Sequence, residues 1–314
     1  MAKRVQATTT GMTRRQLFRM FAAGATIVAS GGARGAGTET QLKRPVPRTG
    51  EMLPAVGLGT WMTFDVGTSP TERAPLREVL QKFVELGGSV VDTAPMYGRA
   101  ESVVGDLVNE LGVRKRLFLA TKVWTEGREA GIRQMETSMQ RLRTTRLDLM
   151  QVHNLVDVDT QLQTLRAWKQ QSRIRYLGIT HYTASAYAAL ERLMKNEELD
   201  FVQFNYSMDE REAEQRLLPL AQERGIAVIV NRPFERAGLF GKVRGAQLPG
   251  WAAEFDCSSW AQFFLKYILA HPAVTCVIPA TSKVKHLEDN MQAGLGRLPD
   301  AKTREKMVAY LKTL

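Results

Sequence analysis

The chain has 314 residues, 44% of them apolar, which is ample for one large α/β domain, and no stretch reaches the roughly 20 apolar residues of a membrane span. Its formal net charge is +11, but Lys3, Arg4, Arg14, Arg15, Arg19 and Arg34 fall in an acid-free stretch, 1–36, leaving a remainder of +5 with both signs interspersed and no aromatic–basic stripe; that argues against a nucleic-acid binder. The two cysteines and four histidines have no metal-ligand spacing.

Residues 1–36 read as an export leader. Thr13-Arg14-Arg15-Gln16-Leu17-Phe18-Arg19 places paired arginines before a mild apolar run at 20–29, and small residues follow at 30–36. This resembles a bacterial twin-arginine signal, which implies a periplasmic protein and cleavage near 33–40. The apolar run is too short and too rich in Gly and Ala to anchor in a membrane.

Thr49-Gly50-Glu51 marks a small hairpin. Strand patterns follow at 56–60, 89–92, 117–122, 147–153, 174–180, 201–205, 227–230 and 274–278. Helical periodicity lies between and after them at 74–86, 101–111, 129–142, 160–171, 184–195, 213–224, 259–270 and 283–294, and one more helix is expected at 300–312. Eight strands, each followed by a helix, predict a single-domain (β/α)₈ TIM barrel over 43–314, with an N-terminal hairpin and an extra C-terminal helix. Gly57-x-Gly59 lacks the third glycine and prompt helix of a Rossmann fingerprint. The longest irregular piece, 234–258, reads as a binding loop. Cys276 sits in an apolar strand and Cys257 in a loop-like segment; the sequence leaves a disulfide between them open.

Four reactive side chains stand at or just beyond the ends of successive strands: Asp92, Tyr97, Lys122 and His153. Chemistry on such a barrel gathers at the carboxyl ends of its strands. Each residue alone has a plainer reading: turn, packing, solvated surface or core. Together they suit reduction of a carbonyl. Tyr97 gives the proton, the Lys122 ammonium lowers the phenol's pKa, Asp92 holds Lys122 charged, and His153 bonds the oxygen where charge develops. No side chain donates hydride, so a nicotinamide cofactor is expected.

The ordered motifs Gly57-Leu58-Gly59-Thr60-Trp61, Val91-Asp92-Thr93-Ala94-Pro95-Met96-Tyr97-Gly98, Ala120-Thr121-Lys122-Val123-Trp124, Leu149-Met150-Gln151-Val152-His153-Asn154, Val202-Gln203-Phe204-Asn205-Tyr206-Ser207 and Val277-Ile278-Pro279-Ala280-Thr281-Ser282 resemble the aldo-keto reductase family over about 43–314. The resemblance implies a barrel that reduces aldehydes or ketones with NADPH, less often NADH, and Asp92, Tyr97, Lys122 and His153 as its tetrad. It matches Gln203 to the nicotinamide carboxamide. Thr180-His181 stands where the family has Ser-Asn. Trp61 and Trp124 match aromatics beside the substrate, with core packing as the alternative.

Two departures bear on the cofactor. Asn231 occupies the place of the aromatic that stacks on nicotinamide, while Arg232 is suited to the pyrophosphate or to a surface ion pair. After strand 8 the family's basic 2′-phosphate site reads Thr281-Ser282-Lys283-Val284-Lys285-His286, followed by Asn290; Lys283, Lys285 and His286 supply the charge. NADP is expected, with NAD as the alternative. The chain stops at Leu314, soon after its last helix, which implies an open pocket or one completed by a protein partner. The expected function is a periplasmic NADP-dependent reductase of a small carbonyl. The alternative is a nicotinamide-binding redox-sensing or subunit-interaction barrel with slow turnover.

Overall fold

The computed structural model describes residues 40–314. The expected leader, with Arg14 and Arg15, lies outside the described residues.

Two short antiparallel strands, β1 (Lys43–Pro45) and β2 (Met52–Pro54), form the expected hairpin, turning through Gly50 at φ +73°. Eight parallel strands follow: β3 (Leu58–Gly59), β4 (Val90–Asp92), β5 (Phe118–Val123), β6 (Leu147–His153), β7 (Ile174–Thr180), β8 (Phe201–Asn205), β9 (Ala227–Asn231) and β10 (Val274–Val277). They pair in chain order from β3 to β10. The seam between β10 and β3 closes through the bridges Val56↔Val277 and Gly59↔Ala280 and the bonds Gly57 N–H to Val277 O (2.8 Å) and Val277 N–H to Ala55 O (2.9 Å). The sheet is therefore the expected barrel.

The helices are α1 (Pro70–Glu85), α2 (Ala100–Leu111), α3 (Arg128–Arg141), α4 (Val158–Gln170), α5 (Tyr187–Asn196), α6 (Leu217–Arg224), α7 (Gly238–Lys242), α8 (Trp260–Leu269), α9 (Val284–Gln292) and α10 (Ala301–Leu311). α5 and α6 begin later than their periodicity predicts, because each is preceded by a 3₁₀ turn, at Ala184–Ala186 and Glu212–Glu214. The 234–258 piece is not wholly irregular. It carries α7 and 3₁₀ turns at Glu235–Ala237 and Gly250–Phe255.

Strand alternation splits the core in two. Val91, Leu119, Val123, Met150, Val152, Ile179, Val202, Phe204, Val228 and Val230 face outward and pack with the helices. Val90, Phe118, Ala120, Leu149, Tyr176, Phe201, Ala227 and Ile229 face inward and fill the barrel. Val46 and Leu53 of the hairpin join this inner cluster. Tyr176 donates to Glu51 at 2.6 Å, and Arg175 pairs with the same carboxylate, so the hairpin stoppers the amino-terminal mouth. The other mouth is left open. Among the described residues no helix is long and apolar enough to cross a membrane. Cys257 and Cys276 are both buried and free, so the disulfide left open by the sequence is not formed.

Candidate active site

The parity that sends Phe118 and Ala120 inward sends Lys122 inward as well, two residues further towards the carboxyl end. Continued along the other strands it brings Asp92, Gln151, His153, Thr180, Gln203 and Asn231 to the same face. They meet at the open end, where a cavity of about 980 Å³ is lined by Asp92, Lys122, His153, Thr180, Gln203 and Asn231 together with Tyr97 from the loop after β4. Such a volume lies at the upper end of the range for small-molecule sites.

At its floor the Lys122 ammonium donates to Asp92 Oδ2 and to the Thr93 carbonyl, both at 2.7 Å, with both charged side chains almost wholly buried. Thr60 Oγ1 donates to the Asp92 carbonyl at 2.9 Å and fixes the strand end. Lys122 Nζ lies 5.2 Å from the centre of the Tyr97 ring, and that ring stands edge-on to His153 with centroids 6.1 Å apart.

Burial sets the protonation of these groups. It raises the Asp92 carboxyl, an effect the Lys122 charge only partly offsets. Burial works against the Lys122 ammonium, but Asp92 and Tyr97 outweigh it and hold the amine above its ordinary value. The Tyr97 phenol is raised: its burial and the Asp92 charge together outweigh the pull of Lys122. This corrects the expectation that Lys122 would leave the phenol more acidic than usual. Burial, with Lys122 and His181 nearby, pushes His153 down to about 3, so its imidazole is neutral at physiological pH.

The remaining predicted residues divide. Arg232, Thr281, His286, Asn290, Trp61 and Trp124 line the cavity. Trp61 and Trp124 are 37% and 44% exposed, so neither is a core aromatic. His181, Ser282 and Lys283 are not part of the wall. The His181 carbonyl accepts from Asn231 Nδ2 at 3.2 Å, and its Nδ1 accepts from the Tyr182 amide at 3.0 Å. Arg232 Nη1 donates to the Tyr182 carbonyl at 3.0 Å, and its guanidinium lies 3.7 Å from Glu235.

Several wall residues escaped the sequence reading. Tyr182 follows β7 and puts a ring in the wall that Asn231 cannot offer; an aromatic within two residues of a strand end was the available signal. Arg236, with Phe234 and Phe240, comes from the 234–258 piece, where only the length of the segment pointed to binding. Among the described residues no cluster of metal-ligating side chains is present.

The site has the features a dinucleotide requires. Buried, unpartnered Asn154 Oδ1, Asn231 Oδ1 and Arg232 Nε all belong to wall residues and await polar partners. Gln203 Oε1 accepts from Gln151 at 3.1 Å, and its amide N–H side faces the Asp92 carboxylate at the cavity floor. Behind Thr281, α9 opens at Val284 without a side-chain cap. Free N–H groups at a helix start favour a phosphate.

Comparison with known proteins agrees with this architecture. A model described as the aldo/keto reductase family matches residues 55–306. The methylglyoxal reductase YeaE of Escherichia coli strain K12 is 32% identical over 247 residues, covering 76% of this chain and 84% of that one. The aldo-keto reductase AKR11C1 from Bacillus halodurans, in its holo form, superposes with a TM-score of 0.70 at 25% identity, covering 86% of this chain and 96% of the other. An aldo/keto reductase from Klebsiella pneumoniae, solved with NADP and acetate, shares the fold at a TM-score of 0.72 and 24% identity, covering 83% and 93%.

Proposed function

The chain belongs to the aldo/keto reductase family, and from that premise we propose that it reduces an aldehyde or ketone to the alcohol with NADPH, Tyr97 supplying the proton. The observation that carries this reading is the buried Lys122–Asp92 pair beneath the Tyr97 ring, with a neutral His153 at its edge, at the bottom of a large cavity. The bound dinucleotide supplies the hydride.

The chain's own residues do the rest. Gln203, Asn154 and Asn231 offer amide groups to a nicotinamide carboxamide, and Arg232 with the start of α9 offers donors to phosphates. His153, neutral, donates a hydrogen bond to the carbonyl oxygen without bringing a competing charge. Tyr97 keeps its proton until that oxygen becomes negative. An alkoxide is a far stronger base than a phenolate, so transfer is downhill even from a phenol whose pKa is raised. Lys122 then stabilises the phenolate left behind, and Asp92 keeps Lys122 cationic.

Tyr97→Phe tests the assignment. It keeps the ring and removes the proton. The expected loss is at least roughly 10²-fold in reduction rate, with the NADPH dissociation constant little changed. Wild-type rates in the variant would overturn it. A second reading, a nicotinamide-binding sensor or subunit module, is favoured by the replacement of a stacking ring with Asn231. It is separated by turnover on a panel of carbonyls with NADPH and NADH.

The proposal extends to location. The Arg14-Arg15 pattern, the weakly apolar run behind it and the absence of acids support export to the periplasm by the twin-arginine route.

A further inference from the structure

Arg236 stands at the cavity mouth with its hydrogen-bonding capacity unspent. Its neighbours are engaged: Arg232 with Glu235 and the Tyr182 carbonyl, Lys242 with Asp209 at 2.5 Å. Among the described residues the Arg236 side chain has no ion pair and no hydrogen bond, and its contact is with the face of Trp61, 4.7 Å from the ring centre. Both residues line the cavity that holds Tyr97 and His153. A guanidinium over an indole ring engages it through its charge and keeps its N–H donors for a bidentate acceptor.

The backbone holds this placement against its own preference. Glu235, Arg236 and Ala237 all lie in the left-handed region, at φ +50°, +54° and +75°, and none is glycine. Such a run persists only where the surroundings over-determine it. Here the flanks are pinned by Phe234 against Phe240 at 4.9 Å and by the fully buried Leu239. Of the acids of the cavity wall, Asp92 is paired with Lys122, and Asp289 accepts from the neutral amide of Gln262. An anion entering the mouth therefore meets the unpaired guanidinium of Arg236 beside the exposed indole of Trp61.

We propose that Arg236 is a specificity-determining residue that selects carbonyl substrates bearing a carboxylate, whose apolar body lies along the Trp61 indole. The inference rests on the reductase reading and deepens it by naming a substrate class.

The test compares 4-carboxybenzaldehyde with its methyl ester, using the NADPH-loaded protein. Turnover and quenching of tryptophan fluorescence are both measured, in wild type, Arg236→Gln and Arg236→Lys. The wild type should favour the carboxylate roughly tenfold at low salt, in Kd and in kcat/KM, and less at high salt. Arg236→Gln should bring the ratio to about one, and Arg236→Lys should restore part of it. A ratio unaltered by Arg236→Gln overturns the proposal. So does a fall in NADPH affinity with equal losses on both aldehydes, since Arg236 would then serve the dinucleotide. If neither aldehyde is reduced, the reductase reading fails instead, and the fluorescence ratio still decides the role of Arg236.

Discussion

Burial, with Lys122 and Asp92 acting in opposite senses, determines over what pH range Tyr97 holds its proton. Because burial keeps the phenol above its ordinary value near 10, the donor stays protonated across the neutral range. A group that must be protonated to act loses activity as pH rises through its pKa. The rate of carbonyl reduction should therefore be flat from about pH 7 to 9 and decline only above about pH 10. His153 adds no acid limb there, since it takes up a proton only near pH 3. Lys122→Met removes the one group that draws the phenol down, so the alkaline limb should move higher still while the rate falls at least roughly 10²-fold. A pH–rate profile of both proteins checks this. An alkaline limb near neutrality in the wild type would mean that Tyr97 is not the donor. The sign of that shift was not legible in the sequence. Lys122 was visible as a neighbour, but the burial that overrides it exists only once the barrel closes.

At the level of strands and helices most of the fold was legible, because apolar residues alternate along the strands and recur at helical spacing between them. The same alternation explains why the tetrad could be read: Lys122 and His153 continue the inward parity of Ala120 and Leu149. Legibility failed where an element is too short to repeat its period: α7 is about a turn and a half inside a piece read as loop. It failed too for Tyr182 and Arg236, whose approach to the cavity depends on how loops fold back and not on spacing. Packing between elements gives a prediction of its own. Gly105 in α2 faces the end of α3 so closely that a Cβ would fall 2.0 Å from the Arg141 carbonyl oxygen. Gly105→Ala gains up to about 1 kcal/mol of helix propensity. It must also drive the two helices apart at an overpacking cost of about 1–3 kcal/mol. Urea unfolding should show a net loss of up to about 2 kcal/mol, and a stabilised variant would refute that contact.

For the whole molecule, the leader and the barrel make one testable statement. A reductase outside the cytoplasm has no evident supply of nicotinamide, and the twin-arginine route carries folded proteins, so the barrel can leave already loaded. Arg14→Lys combined with Arg15→Lys should strand a folded, NADPH-binding precursor in the cytoplasm. The wild type should appear in the periplasm, beginning between about residues 33 and 40. Fractionation with amino-terminal sequencing checks both halves; normal export of the double variant would sink the reading. The barrel seam adds a matter of timing. β3 is closed against residues 277–280, the last of the barrel's strand segments to leave the ribosome. Until they emerge, the growing sheet has an unpaired strand at each side, a template for pairing with other nascent chains. Folding of the ring must therefore wait until β10 has been synthesised, and a truncation before β10 should yield a species that depends on chaperones, not a smaller stable barrel.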